Sequence, residues 1–218
     1  MKRPTIKEVT NLLKELRTLV PNRPLTYGES VQVARLQAAR FRAWAATTDE
    51  PAINLAGLIN QRAVPVHFVP SHVLNEESGL TTDLMDDKLQ VFINESEPQV
   101  RQRFSVLHEW KHVLDFPDAA RLHHSLGVGN DNLKTLRIEL IANEFAAHVL
   151  MPTNLVKRVW FKTQDIGLAA SLFNVSPEAM NTRLTKLGLI NRKTHPTTRA
   201  VFRTHGLVHL SHLAPCAV

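Results

Sequence analysis

Residues 101–117 read RQRFSVLHEWKHVLDFP. Together with Pro98, a residue that suits the first turn of a helix, the apolar residues of this stretch predict one helix over residues 98–114. His108 and His112 lie four positions apart, and in a helix this spacing puts both imidazoles on the same face, one turn apart. The stretch therefore predicts a helix that presents two metal-binding side chains to one point.

The residue that follows the first histidine completes the pattern H-E-x-x-H. Two neutral imidazoles can bind one Zn²⁺ at about 2.0 to 2.1 Å. Glu109 points roughly a quarter turn away from them, where it can take a proton from the attacking water as a general base. This division of labour is typical of zinc metallopeptidases, which are hydrolases. We therefore expect His108 and His112 to bind zinc and Glu109 to be the catalytic residue.

A catalytic zinc site of this type needs a third protein ligand, and three acidic residues compete for that position. Asp115 is on the motif helix, but its short side chain would have to reach back across about a turn of rise. Asp118 has the spacing of a metzincin ligand, yet the metzincin pattern requires Gly where this chain has Asp115. Glu139 lies on the next long helix, predicted over residues 133–150, from which a carboxylate can face the histidines. Glu139 is the favoured third ligand, and Asp118 remains the alternative.

The elements on either side of the motif predict an α+β domain of the zincin type. Helical periodicity marks residues 5–19, 29–47, 52–61 and 133–150, and alternating apolar residues mark strands at 64–69, 79–84 and 89–94. A polar turn of hairpin length joins the last two strands. We expect a small antiparallel sheet that packs on the HExxH helix and on the following ligand helix, under a helical N-terminal cover.

Composition limits the classes of protein that the chain can represent. The 218 residues are 44% hydrophobic and 21% charged, which is typical of a globular protein with one main domain and appendages. Charged residues interrupt the N-terminal stretch, and no apolar run is long enough to cross a membrane, so we expect a cytoplasmic protein. The net charge of +6 permits binding to nucleic acid or to acidic partners. A single cysteine, Cys216, excludes an internal disulfide and a cysteine-rich zinc cluster.

Two strings of this sequence resemble the ImmA/IrrE family of metallo-endopeptidases: RQRFSVLHEWKH, from Arg101, and IELIANEFAAHVLMP, from Ile138. In that family the second string marks the helix that supplies the third zinc ligand, so the resemblance implies this role for Glu139. The residues that match the second pattern are Glu139, Ala142, Asn143, Phe145, Ala146, Ala147, Leu150, Met151 and Pro152. The likeness extends over residues 64–190. One departure is Lys111, where the family more often has Gly.

The resemblance also implies a function and a partner. It indicates a zinc-dependent endopeptidase that cleaves a regulatory protein, commonly a helix-turn-helix repressor encoded nearby, in the stress response or in mobile-element control. Selectivity for one protein requires docking surfaces away from the metal, which we expect in residues 155–190 and in the N-terminal helices. The alternative function is a metal- or DNA-binding transcriptional regulator without proteolytic activity.

Apolar residues beyond the ligand helix predict two short helices that resemble a helix-turn-helix, the second starting at Ser176 and Pro177. The second helix carries few basic residues, Arg183 and Lys186, so we expect it to contact a partner repressor rather than DNA. The expected organisation is an N-terminal helical cover (1–49), a zincin-like metallopeptidase core (50–152), a helix-turn-helix-like segment packed on the core (153–190) and a C-terminal tail (191–218).

The remaining candidates for catalytic or metal-binding roles are scattered through the chain. Zincins polarise the scissile carbonyl with a nearby His or Tyr, and the residues that could act in this way are His123, His124, His148 and, at greater sequence distance, Tyr27. Four tail residues have metal-ligand character but fit no recognised spacing, namely His205, His209, His212 and Cys216. We interpret these residues as a late strand and tail.

Overall fold

The computed structural model describes residues 4–45, 49–59, 63–84 and 88–191. The chain begins with two helices, α1 (Ile6–Thr18) and α2 (Tyr27–Trp44). Each starts with a capping box, in which a threonine hydroxyl and a glutamate three residues later bond each other's backbone N–H groups. In α2 these residues are Thr26 and Glu29, so Glu29 lies inside the first turn and the helix starts earlier than the prediction.

Three strands form the sheet: β1 (Val66–Val69), β2 (Gly79–Leu84) and β3 (Lys88–Asn94), in the order β1-β3-β2. β2 and β3 pair antiparallel, with Leu80 opposite Phe92. β1 pairs parallel to β3, with His67 opposite Phe92, so the sheet is mixed rather than wholly antiparallel. A 3₁₀ helix, Ser71–Leu74, lies between β1 and β2. Because β1 and β2 are not joined by a hairpin turn, β1 can pair with the other edge of β3 and run in the same direction.

Two predicted elements begin later in the structure than the periodicity indicated. The helix predicted from residue 52 is a short helix, α3 (Ala56–Ile59), which starts where the side-chain oxygen of Asn54 accepts the N–H of Ala56 at 2.9 Å. The strand predicted from residue 64 starts after Pro65, which has no N–H to donate to a neighbouring strand. Local hydrogen bonding therefore determines where these elements begin.

The motif helix, α4 (Gln99–Asp115), continues through a 3₁₀ turn and the short α5 (Ala119–Leu122) to the long α6 (Asp131–Leu150). α4 packs against the sheet and against α6, while α2 packs against α6. At the centre, the ring of Phe41 meets Trp110 and Phe145 edge-on, with both pairs of ring centroids 6.2 Å apart. The α+β, zincin-like fold class predicted from the sequence is confirmed.

Three further helices follow: α7 (Thr153–Thr163), α8 (Ile166–Phe173) and α9 (Pro177–Lys186). α8 and α9 are the two short helices that were predicted. Arg183 of α9 is buried, and its guanidinium donates to the carbonyl of Met151 at 3.0 Å and to the hydroxyl of Thr153 at 3.1 Å. This arginine therefore fixes α9 to the C-terminal end of α6 and to the start of α7.

In the described part of the chain, no helix has both the length and the apolar character needed to cross a membrane. Four residues of the C-terminal tail lie outside the described ranges, namely His205, His209, His212 and Cys216. Their assignment to a late strand and tail stays a prediction.

We expect Arg183→Ala to lower the free energy of unfolding by about 1.5 to 3 kcal/mol, because it removes two hydrogen bonds from a buried charged donor. Lys186→Ala on the same helix is the matched control, since the Lys186 side chain is 55% exposed and lies 3.8 Å from Glu144. It should change stability by less than about 1 kcal/mol. Urea unfolding of the three proteins measures both effects, and equal losses would contradict this account of Arg183.

Candidate metal centre

The structure brings His108, His112 and Glu139 together between α4 and α6. Their potential ligand atoms all lie within 4.8 Å of one another. Nε2 of His108 is 3.1 Å from Nε2 of His112 and 3.1 Å from Oε2 of Glu139, while Oε1 of Glu139 is 3.5 Å from Nε2 of His112. Two nitrogens and a carboxylate therefore converge on one point, as the sequence predicted for this trio of residues.

Burial and charge make this group suitable for a divalent cation. The three side chains are only 4%, 9% and 5% exposed. Burial opposes protonation of His108, but the hydrogen bond to Glu139 and the charges of Glu109 and Glu139 raise the pKa of His108 above its ordinary value. Burial and the charge of His108 lower the pKa of His112. The carboxylates thus attract positive charge to the imidazoles, and a metal ion would satisfy the same attraction.

Asn143 orients the first histidine. It lies one turn after Glu139 on α6, and its side-chain oxygen is 3.0 Å from Nδ1 of His108. In the neutral tautomer that donates the Nδ1 hydrogen to this oxygen, Nε2 is unprotonated and directed at His112 and Glu139, as a metal ligand requires. Asn143 is one of the residues that match the family string, but no role was predicted for it. Its spacing from Glu139 could have indicated this contact, because residues i and i+4 of a helix share a face.

Glu109 lies beside the trio and faces the sheet. Its side chain is buried, and Oε2 accepts a hydrogen bond of 2.7 Å from the hydroxyl of Thr81 on β2. Glu109 is not part of the group whose ligand atoms converge. This placement agrees with a division in which the histidines and Glu139 bind a cation and Glu109 handles protons.

The two other acids considered for the third ligand have different partners. Asp115 is buried against Lys111, whose Nζ is 2.5 Å from Oδ1, and Nε2 of His123 is 3.6 Å from Oδ2. Burial opposes ionisation of Asp115, but the charge of Lys111 and the contact with His123 hold the pKa of Asp115 below its usual value. Asp118 forms an ion pair with Arg121 at 2.8 Å. Among the described residues, neither acid joins the convergent group.

The candidates for polarising a carbonyl are placed elsewhere among the described residues. His148 lies nine residues after Glu139, on the opposite face of α6, with Nδ1 2.9 Å from the carbonyl of Glu144. Burial and the charge of Arg183 lower the pKa of His148 to about 4. His123 contacts Asp115, His124 is exposed, and Tyr27 lies under the guanidinium of Arg137 at 5.6 Å.

A histidine pair on one helix and a glutamate on its neighbour define the class of zincin-like metallopeptidases. The match to a peptidase family model, described as the IrrE N-terminal-like domain, covers residues 64–185. The chain belongs to this ImmA/IrrE family of metallopeptidases.

One solved structure with a similar fold is a Mycobacterium tuberculosis transcriptional regulator, at a TM-score of 0.51 and 15% sequence identity. The alignment covers 80% of this chain and 51% of that one, so the chain spans about half the length of this relative. At this identity the likeness concerns the fold alone. A comparison with curated proteins found no match.

We expect Lys111→Met to lower the free energy of unfolding by about 3 to 5 kcal/mol, because it leaves the Asp115 carboxylate buried without its cation. The double variant Lys111→Met/Asp115→Leu should recover most of this loss, since two apolar side chains need no counter-charge. Denaturant unfolding of both variants at neutral pH provides the measurement. A double variant no more stable than the single one would show that the ion pair does not cause the loss.

Proposed function

We propose that the chain is a zinc-dependent endopeptidase that cleaves a regulatory protein, a helix-turn-helix transcriptional repressor, in the stress response or in mobile-element control. The observation that carries the proposal is the convergence of His108, His112 and Glu139, with Glu109 beside them. The family match identifies the chain as a metallopeptidase. The resemblance noted in the sequence suggests the class of substrate.

In this proposal His108, His112 and Glu139 hold Zn²⁺. Two imidazoles and one carboxylate are the ligand set of several catalytic zinc sites, and the charge of Glu139 offsets part of the charge of the cation. Zinc supplies Lewis-acid chemistry, which lowers the pKa of a water molecule and polarises a carbonyl. Asn143 keeps His108 in the tautomer whose Nε2 can bind the metal.

In the proposed reaction Glu109 acts first as the general base and then as the general acid. Its carboxylate accepts a proton from the attacking water and delivers it to the amine that leaves when the peptide bond breaks. Burial in a site closed by β2, α4 and α6 strengthens the electrostatic interactions on which both transfers depend. A carboxamide at this position could neither accept nor return the proton.

The substrate proposal requires recognition at a distance from the metal. We assign the catalytic core to residues 50–152 and repressor docking to residues 155–190 and the N-terminal helices. The net charge of +6 suits an acidic surface on the partner and would accelerate the encounter at low salt. The proposal places the reaction in the cytoplasm, where a DNA-bound repressor would be found.

The alternative, a DNA-binding regulator without proteolysis, receives less support from α9. Arg183 is only 3% exposed and its guanidinium is bonded to the peptidase core, so it is not presented to a phosphate backbone. Lys186 lies on the same helix and faces Glu144 at 3.8 Å. Of the two basic residues of this helix, Arg183 is therefore directed at the protein itself, and Lys186 alone remains exposed to contact DNA.

We expect the purified chain to bind about one zinc per monomer. His108→Ala/His112→Ala should abolish binding, and Glu139→Ala should weaken it by at least about tenfold because one of three ligands is lost. Asp118→Ala is the control, since Asp118 pairs with Arg121 outside the group. Zinc content by mass spectrometry and competition with a chelator measure the effect. Full zinc retention in the double histidine variant would defeat the proposed site.

We expect Glu109→Gln to retain zinc but to lose proteolysis by at least about 10³-fold, because the base is removed while both imidazoles remain. The assay incubates the zinc-loaded chain with the product of a neighbouring repressor gene and follows cleavage by mass spectrometry. Undiminished cleavage by the variant would mean that Glu109 is not the base.

Casein serves as the control substrate, because it is an unfolded chain without a repressor surface. Selective cleavage of the repressor supports docking away from the metal. Rapid cleavage of casein with the repressor left intact would replace the proposed function with that of a general peptidase.

A further inference from the structure

The inward face of β2 is built around the carboxylate of Glu109. Thr81 and Glu109 are 4% and 6% exposed, and the Thr81 hydroxyl donates to Oε2 of Glu109 at 2.7 Å. The same hydroxyl is 3.3 Å from the backbone carbonyl of Glu109. A buried hydrogen bond to a carboxylate is short and directional, so it restricts the rotation of the acid.

Gly79 occupies the same face of β2, two residues before Thr81. A Cβ atom added at Gly79 would lie 3.1 Å from Cγ of Glu109, 3.1 Å from its Oε1 and 3.3 Å from Cδ1 of Ile93. These separations are tighter than ordinary van der Waals contact, so a side chain here would require Glu109 or Ile93 to move by a few tenths of an ångström. The two positions thus act on different oxygens: Thr81 binds Oε2, and Gly79 leaves space for Oε1.

We infer that Thr81 is a positioning residue for the general base and that Gly79 provides the clearance its carboxylate needs. The inference rests on the proposed role of Glu109. The hydroxyl of Thr81 holds Oε2, which directs Oε1 as the oxygen that takes the proton. β2 is an edge strand of the sheet, bonded to β3 on one side only, and its face with Gly79 and Thr81 lies against the Glu109 side chain.

A purely structural role for Thr81 is the competing explanation, because its hydroxyl also approaches the α4 backbone. The two roles predict different effects of substitution on the measured quantities. A structural contact affects stability and zinc binding together, whereas a positioning contact affects the turnover number with little change in KM or zinc content. Serine keeps the hydroxyl but loses a methyl group, and valine keeps the volume but loses the hydroxyl.

The experiment compares zinc-loaded wild type, Thr81→Val, Thr81→Ser and Gly79→Ala on the repressor substrate. Thr82→Val is the matched control, because Thr82 is buried on the same strand and points to its opposite face. We expect Thr81→Val and Gly79→Ala to lower kcat about 10- to 100-fold with KM nearly unchanged. Thr81→Ser should retain most of the wild-type kcat, and Thr82→Val should resemble the wild type.

Crystal structures of the zinc-loaded variants supply a readout that needs no substrate. The Glu109 carboxylate should shift in Thr81→Val and Gly79→Ala but not in Thr81→Ser. An unmoved Glu109 carboxylate in both Thr81→Val and Gly79→Ala, or wild-type kcat in Thr81→Val, would overturn the inference. Glu109→Gln separates the two hypotheses: if it remains active the proposed function fails, whereas an inactive Glu109→Gln beside a fully active Thr81→Val defeats the positioning role alone.

Discussion

The packing of α4 against α6 brings two imidazoles and a carboxylate to one buried point, and the rest of the domain maintains that arrangement. A buried carboxylate is unfavourable unless it has partners, and here each oxygen of Glu139 faces a histidine. The two helices are held at this separation by the aromatic cluster of Phe41, Trp110 and Phe145. α2 supplies the central ring of that cluster, which explains why a helical cover far from the motif in sequence contributes to the site.

Two faces of α4 contact two different neighbouring elements. His108 and His112 face α6, while Glu109 faces β2, where the hydroxyl of Thr81 binds it. The side chains proposed to bind the metal and the side chain proposed to transfer protons are therefore stabilised by different elements, although they belong to one five-residue motif. Rigid secondary structure on both sides restricts the reacting groups more closely than loops could. The geometry also requires the edge strand to approach the helix closely, which accounts for glycine at position 79.

Much of the fold could be predicted because apolar periodicity is local. The long helices and the β2–β3 pair depend on residues close together in sequence, and so does the facing of His108 and His112. The direction of β1 could not be predicted, since parallel pairing with β3 is settled by the path of the chain between strands. The contacts of Thr81 and Arg183 join residues about 30 positions apart, and no periodicity within a single element encodes such pairs.

Lys111 shows how a departure from the family pattern is accommodated. At about 100° per residue, its position on α4 lies on the side of the histidine face away from Glu109, and the side chain runs into the interior beside α5. A buried ammonium requires a counter-charge, which Asp115 provides one turn later on the same helix. His123 approaches the other oxygen of Asp115 and so ties the chain after α4 to the helix. The lysine therefore depends on two residues that the HExxH motif does not include, and the metal face of α4 needs no adjustment to accept it.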